Sequence, residues 1–192
     1  MLNRLQTLVI RVSQTWWLYL FVVLLFAGSL LSLLRIGEKF PSYAAGNQPF
    51  DLQNALTPTE VYPQLASWTE SAHQLYHAFT LIDYAFPFFA GLFIAATAAF
   101  AMRVSLPTWY AALTRRNLLP VFMFGTAFDW LENIAALGVI SLYPTELRGL
   151  PIVLVLAKQL KLVCVLSAQA VTLLLLLYAA GNWLTARLRL RR

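Results

Sequence analysis

Read for hydropathy alone, the chain alternates between four long apolar blocks and shorter polar stretches. The blocks cover residues 16–34, 72–102, 118–143 and 151–183. A helix rises 1.5 Å per residue, so about twenty residues cross a hydrocarbon core roughly 30 Å thick. Each block reaches that length. The pattern predicts an all-α fold: a polytopic membrane protein built as a four-transmembrane-helix bundle, in a single membrane domain. The first block exceeds the apolar core of a signal peptide and no small-x-small cleavage site follows, so it reads as a retained span. Trp16, Trp17 and Tyr19 at its start suit the membrane interface. The second block is longer than a bilayer needs, which predicts tilt or protrusion, and Pro87 inside it predicts a kink.

The polar stretches predict the connections. Residues 1–15 form a short mixed segment. An outer loop takes 35–71, an inner loop 103–117, an outer link 144–150 and a tail 184–192. Pro41, Gly46, Asn47 and Pro49 break regular structure early in the outer loop. Thr57-Pro58-Thr59-Glu60 then resembles a capping box with proline at the first helical position, predicting a short extracytoplasmic helix from Pro58 to about Trp68. The loop is long enough to lie over the mouth between the second and third spans as a lid. In the inner loop, Leu106, Trp109, Tyr110 and Leu113 suit an interfacial turn of helix.

Composition agrees with this pattern. Hydrophobic residues make up 60% of the chain and charged residues 11%, where soluble domains carry roughly 45–50% and 25%. The net charge of +6 comes from residues flanking the blocks, without any nucleic-acid-binding motif, so no nucleic-acid partner is expected. Arg4, Arg11, Arg103, Arg115, Arg116, Arg187, Arg189, Arg191 and Arg192 share one side with no acid beside them. Arg35, Lys39 and Arg148 share the other with Glu38, Asp51, Glu60, Glu70 and Glu146. The positive-inside rule therefore places both termini in the cytoplasm. The single cysteine, Cys164, rules out a disulfide or Cys-x-x-Cys redox site within the chain and reads as a packing residue.

The remaining charges fall inside blocks: Asp83 in the second, Asp129 and Glu132 in the third, Lys158 and Lys161 in the fourth. Each costs at least about 2.5–3.5 kcal/mol in a membrane unless it finds a partner or water. Asp129 and Glu132 are i, i+3 and share a helix face, extended by Thr126 and Asn133. Counting helical rise, Asp83 lies about 8 Å and Lys158 about 10 Å from the outer boundary; Glu132 and Lys161 lie about 15 Å deep and Asp129 about 20 Å. The depths predict Asp83 paired with Lys158 and Glu132 paired with Lys161. Three acids against two lysines leave one negative charge over, so Asp129 and Glu132 are expected to share a proton. Tyr76, Thr80, Asp83 and Pro87 form one polar stripe on the second span, which His73 and His77 continue. Two histidines at i, i+4 can meet one metal, but Asp83 lies about 9 Å further along the helix. No metal or other cofactor is predicted.

The chain resembles uncharacterised bacterial four-helix membrane proteins that carry an aspartate four residues before a proline on the second span, Asp-x-x-Glu-Asn on the third and a lysine on the fourth. Here these are Asp83 to Pro87, Asp129 to Asn133, and Lys161. The resemblance covers most of the chain after Gln48. It implies a place to look and no particular activity.

Three functions are expected to compete, all in a bacterial inner membrane. The first is a site facing the outer leaflet, among the second, third and fourth spans, for a lipid or small amphiphile. There Asp83, Asp129 and Glu132 perform acid–base work, Lys158 or Lys161 holds an anionic head group, and Asn133, Tyr76 and Thr80 contribute polar contacts. The second is proton-coupled transport by a homo-oligomer. The third is a structural or partner-binding subunit whose charges only fix helix packing. Under the first two, Asp129→Asn with Glu132→Gln is expected to leave a stable, inactive protein.

Overall fold

The computed structural model describes residues Leu2–Arg189; Arg191 and Arg192 of the basic tail lie outside the described residues. Those residues form α1 (Leu2–Gln14), α2 (Trp16–Lys39), α3 (Val61–Ala66), α4 (Glu70–Ser105), α5 (Pro107–Arg115), α6 (Phe124–Leu142) and α7 (Gly149–Arg189), with three short 3-10 turns and, among the described residues, no strand. Three helices are long and apolar enough to cross a membrane: α2, α4 and α7. At 19 residues α6 has the length of a span. Asp129, Glu132 and Asn133 dilute its apolar character, and all three are buried against neighbouring helices.

Helix ends follow local chemistry. Thr69 caps α4 by accepting from the Ala72 N–H at 3.3 Å, while its own hydroxyl donates to the Tyr43 carbonyl at 2.9 Å. α4 runs unbroken through Pro87. The helix expected from Pro58 to Trp68 is shorter, because the Thr57 N–H and hydroxyl both donate to Glu60 Oε2, at 2.8 and 2.7 Å, and close a separate turn before α3. Those two donations hold the Glu60 carboxyl below its usual pKa range. α7 continues beyond the expected end at Trp183, through Thr185, Ala186 and Leu188. Its 41 residues extend about 61 Å, roughly twice a hydrocarbon thickness.

Within the segment 1–15, read only as short and mixed, lies the amphipathic α1. It buries Gln6, Val9, Val12 and Ser13 on one face, and extended backbone at Thr15 turns it away from α2. Gln6 acts as a clasp: its Nε2 donates to the Thr114 carbonyl, and its Oε1 accepts from the Leu119 N–H at 3.1 Å. Arg103 donates to the Ser13 carbonyl at 3.3 Å. Together α1 and α5 close one end of the bundle.

The apolar core divides in two. At the α1 end, Val9, Val12, Leu92, Ala95, Met102 and Leu119 pack together. At the loop end, Phe40, Phe50, Trp68, Tyr76, Ala136 and Leu154 do so. The intrahelical charges lie between the two cores. Close approach of α6 and α7 there depends on Gly125, where an added Cβ would stand 2.5 Å from Val165 Cγ2. A β-branched valine in a helix has little rotameric room to yield, so the crossing requires a residue without a side chain.

Candidate functional site

The Asp83-to-Pro87 spacing is the starting point. Proline lacks an N–H, so Pro87 leaves the carbonyl four residues earlier, that of Asp83, without its helical donor. Asn133 Nδ2 fills the vacancy at 3.3 Å and donates also to Asp83 Oδ2 at 3.0 Å. Two further α6 side chains reach the same stretch of α4: Trp130 Nε1 donates to the Tyr84 carbonyl at 2.9 Å, and the Thr126 hydroxyl to the Pro87 carbonyl at 2.7 Å. Thr126, Trp130 and Asn133 are spaced four and three apart, one face of a helix. The α4 carbonyl left free by Pro87 is thus supplied with a donor by α6.

One turn away on α6, the ionic network begins. Glu132 is fully buried and meets both lysines of α7, Lys161 at 2.5 Å and Lys158 at 3.4 Å. Lys161 also reaches Asp129 Oδ2 at 3.6 Å. The Glu132–Lys161 contact matches the depth argument. The expected Asp83–Lys158 pair does not form: Asp83 is held by Asn133, and Lys158 turns to Glu132 and to the outer loop. Its ammonium donates to the carbonyls of Phe50 and Gln53, the latter at 3.0 Å. Depth counting carried no information on which helix faces met.

Sequence reasoning left Asp51 in the loop, on the charge count of the outer side. The 3-10 turn Phe50–Leu52 brings it into the site, where Tyr76 Oη donates to its Oδ2 at 2.7 Å. Four carboxylates therefore cluster with two lysines. Among the described residues, Asp51 Oδ1, Asp129 Oδ1 and Asn133 Oδ1 are buried without a hydrogen-bond partner. The turn is seated by aromatic packing: the Phe50 ring stacks on Trp68 with centroids 4.8 Å apart, Trp68 lies 5.2 Å from Tyr76, and Phe40 meets Trp68 edge-on at 5.0 Å. Such pairs contribute about 0.5–1.5 kcal/mol each beyond their burial. This roof covers the loop end of the network.

Other candidates are placed differently. Thr80 donates its hydroxyl to the Tyr76 carbonyl in its own helix, at 2.9 Å. His73 packs edge-on against Trp68 at 5.6 Å and His77 is exposed. Among the described residues no group of three metal-ligating side chains assembles.

The network adjoins a cavity on its other side. A space of about 330 Å³ runs from Asp129 toward the α1 end, between α2, α4, α6 and α7. Phe26, Phe93, Ile94, Phe122 and Leu176 give it apolar walls, and Asp129 is the one charged residue lining it. α2, expected to contribute nothing to the site, supplies Phe26, which stacks on Phe86 and Phe93 at 5.7 Å each. A concave, mainly apolar space with one polar group at its end is the usual form of a small-molecule site. No protein-family model matches the chain, and no match emerges among curated proteins or solved structures.

Proposed function

We propose that the chain is an integral protein of a bacterial inner membrane that binds, and acts by acid–base chemistry on, a lipid or other amphiphile. In this reading α2, α4, α6 and α7 all span the bilayer and both termini are cytoplasmic. The arginines of the α1 and α5 end support that orientation. Asn54→Cys in a Cys164→Ser background is expected to react with an impermeant maleimide in intact spheroplasts, and Thr7→Cys only after lysis. Equal labelling of both before lysis overturns the topology.

The observation that carries the functional reading is the apolar cavity ending on Asp129. A hydrocarbon chain fits the walls, and Asp129 is the acid placed to exchange a proton with the bound molecule. Glu132 and Lys161 stand behind it and set its charge state. The prediction is a stoichiometric amphiphile in mass spectra of protein purified in mild detergent. Asp129→Asn is expected to lose it while keeping the thermal midpoint within a few degrees, since Lys161 retains Glu132. Wild-type protein free of bound amphiphile would sink the proposal.

A structural subunit is the second reading, favoured by both lysines having their partners within the chain. It predicts that Asp129→Asn lowers the midpoint or releases a partner chain, with no ligand to lose.

A further inference from the structure

The head group of the bound molecule can be argued from the cavity lining, on the premise that the amphiphile site proposed above exists. Neither lysine lines the cavity. Lys158 is directed to Glu132 and the loop carbonyls, and Lys161 is tied to Glu132 at 2.5 Å. The threonines at the walls direct their protons into their own surroundings: Thr126 to the Pro87 carbonyl, Thr97 to the Phe93 carbonyl and Thr172 to the Ala168 carbonyl. An anionic head would find no cation there, and Gln169 is the lining side chain that offers N–H donors. The expectation that a lysine holds an anionic head group does not fit this wall.

Asp129 presents the opposite chemistry. Its residue is 5% exposed, its Oδ2 faces Lys161 at 3.6 Å, and its Oδ1 is buried without a partner. A buried carboxylate oxygen accepts and cannot donate, so its complement is a donor. The surrounding groups point the same way: of the carboxyls in the cluster, Glu132 and Asp129 meet the two lysines, while Asp83 is held by Asn133 and Asp51 by Tyr76. A cationic donor is attracted to whichever of these carboxyls is ionised, whereas a hydroxyl gains only a hydrogen bond. Volume sets the chain. A methylene takes about the space of a water, roughly 30 Å³, so about 330 Å³ holds one chain of roughly ten carbons.

We infer that the cavity binds a single-chain amphiphile bearing a primary amine, its ammonium on Asp129 and its alkyl chain between Phe26, Phe93 and Leu176. The ammonium meets the Asp129 carboxylate where that residue lines the cavity, while Lys161 stays on Glu132.

Equilibrium dialysis of labelled decylamine, decanol and decanoate against the full chain in lipid nanodiscs, with empty nanodiscs as background, tests this. Decylamine is expected to bind saturably, one per chain, at least tenfold tighter than the other two. Asp129→Asn should weaken decylamine tenfold or more and leave decanol unchanged, which also shows that the variant keeps its cavity. Ala90→Phe, at a lining position away from the charges, should abolish binding of all three. Decanol or decanoate binding as tightly as decylamine overturns the amine assignment and leaves the amphiphile site standing. Decylamine binding indifferent to Asp129→Asn overturns it too. No saturable binding of any probe removes both the assignment and the site.

Discussion

Glu132→Gln is expected to cost the fold about 3–5 kcal/mol, the range for removing one partner of a buried ion pair. Glu132 is the one carboxylate that both lysines share, and it has no exposed surface. Its loss leaves Lys158 on two carbonyls and Lys161 on Asp129 alone at 3.6 Å. The measurement is the thermal midpoint of the detergent-solubilised protein. Adding Lys161→Met should recover part of the loss, because it removes one of the stranded cations, and the two changes should be strongly non-additive. A Glu132→Gln protein that melts with the wild type would show that the network contributes nothing to stability. The geometry also changes what a functional test can use. The double change Asp129→Asn with Glu132→Gln strips Lys161 of both carboxylates and confounds activity with folding. Asp129→Asn alone does not.

Phe50→Ala should be nearly as costly, about 3–5 kcal/mol by analogy with other buried aromatic truncations. The side chain is fully buried and stacks on Trp68, so its removal opens a cavity beneath the loop. The consequence extends past stability. Phe50 and Gln53 supply the carbonyls that hold Lys158, and Asp51 between them holds Tyr76. Unseating one ring releases three polar contacts with the bundle. Hydrogen exchange is expected to rise across residues 47–56 and to stay unchanged in α1 and α5. Unchanged protection in the loop would show that the polar contacts hold it without the ring.

Much of the intrahelical site was legible from spacing. Asp129 and Glu132 recur at i, i+3 on one block, Lys158 and Lys161 on the next, and an unpaired charge in hydrocarbon is costly enough to require that they meet. Rotational setting was not legible, because depth along a helix says nothing of which face turns inward; this is why Lys158 was assigned to Asp83. The loop's part was also hidden. Phe40, Phe50 and Trp68 have no common period, and Asp51 looks like any solvated loop acid until the 3-10 turn carries it onto Tyr76. Two signals were present and unused. Gln6, Val9 and Ser13 in the first segment fall at helical spacing, enough to propose α1. The Asp83–Pro87 interval is the distance of one helical hydrogen bond, which identifies a free carbonyl, although not Asn133 as its donor. At the end of α7 the run of arginines suggested a tail, while Ala186 and Leu188 are good helix formers and continue the helix to Arg189.

The order in which the chain is made gives the α6–α7 contacts another meaning. α6 is synthesised first, carrying two acids whose only lysine partners belong to α7. In the proposed reading, in which α6 also spans, α6 offered to a bilayer by itself must leave those charges unneutralised. With α7 beside it, each lysine arrives next to a carboxylate, and the short link at residues 143–148 allows the two helices to lie together as they enter. In that reading the two segments would enter as one unit, and a ribosome that stops before Lys158 would leave α6 outside the membrane or unstable within it. The ion pairs that would tune a ligand site in the finished protein would, in the same reading, serve first as a check that α7 has been made.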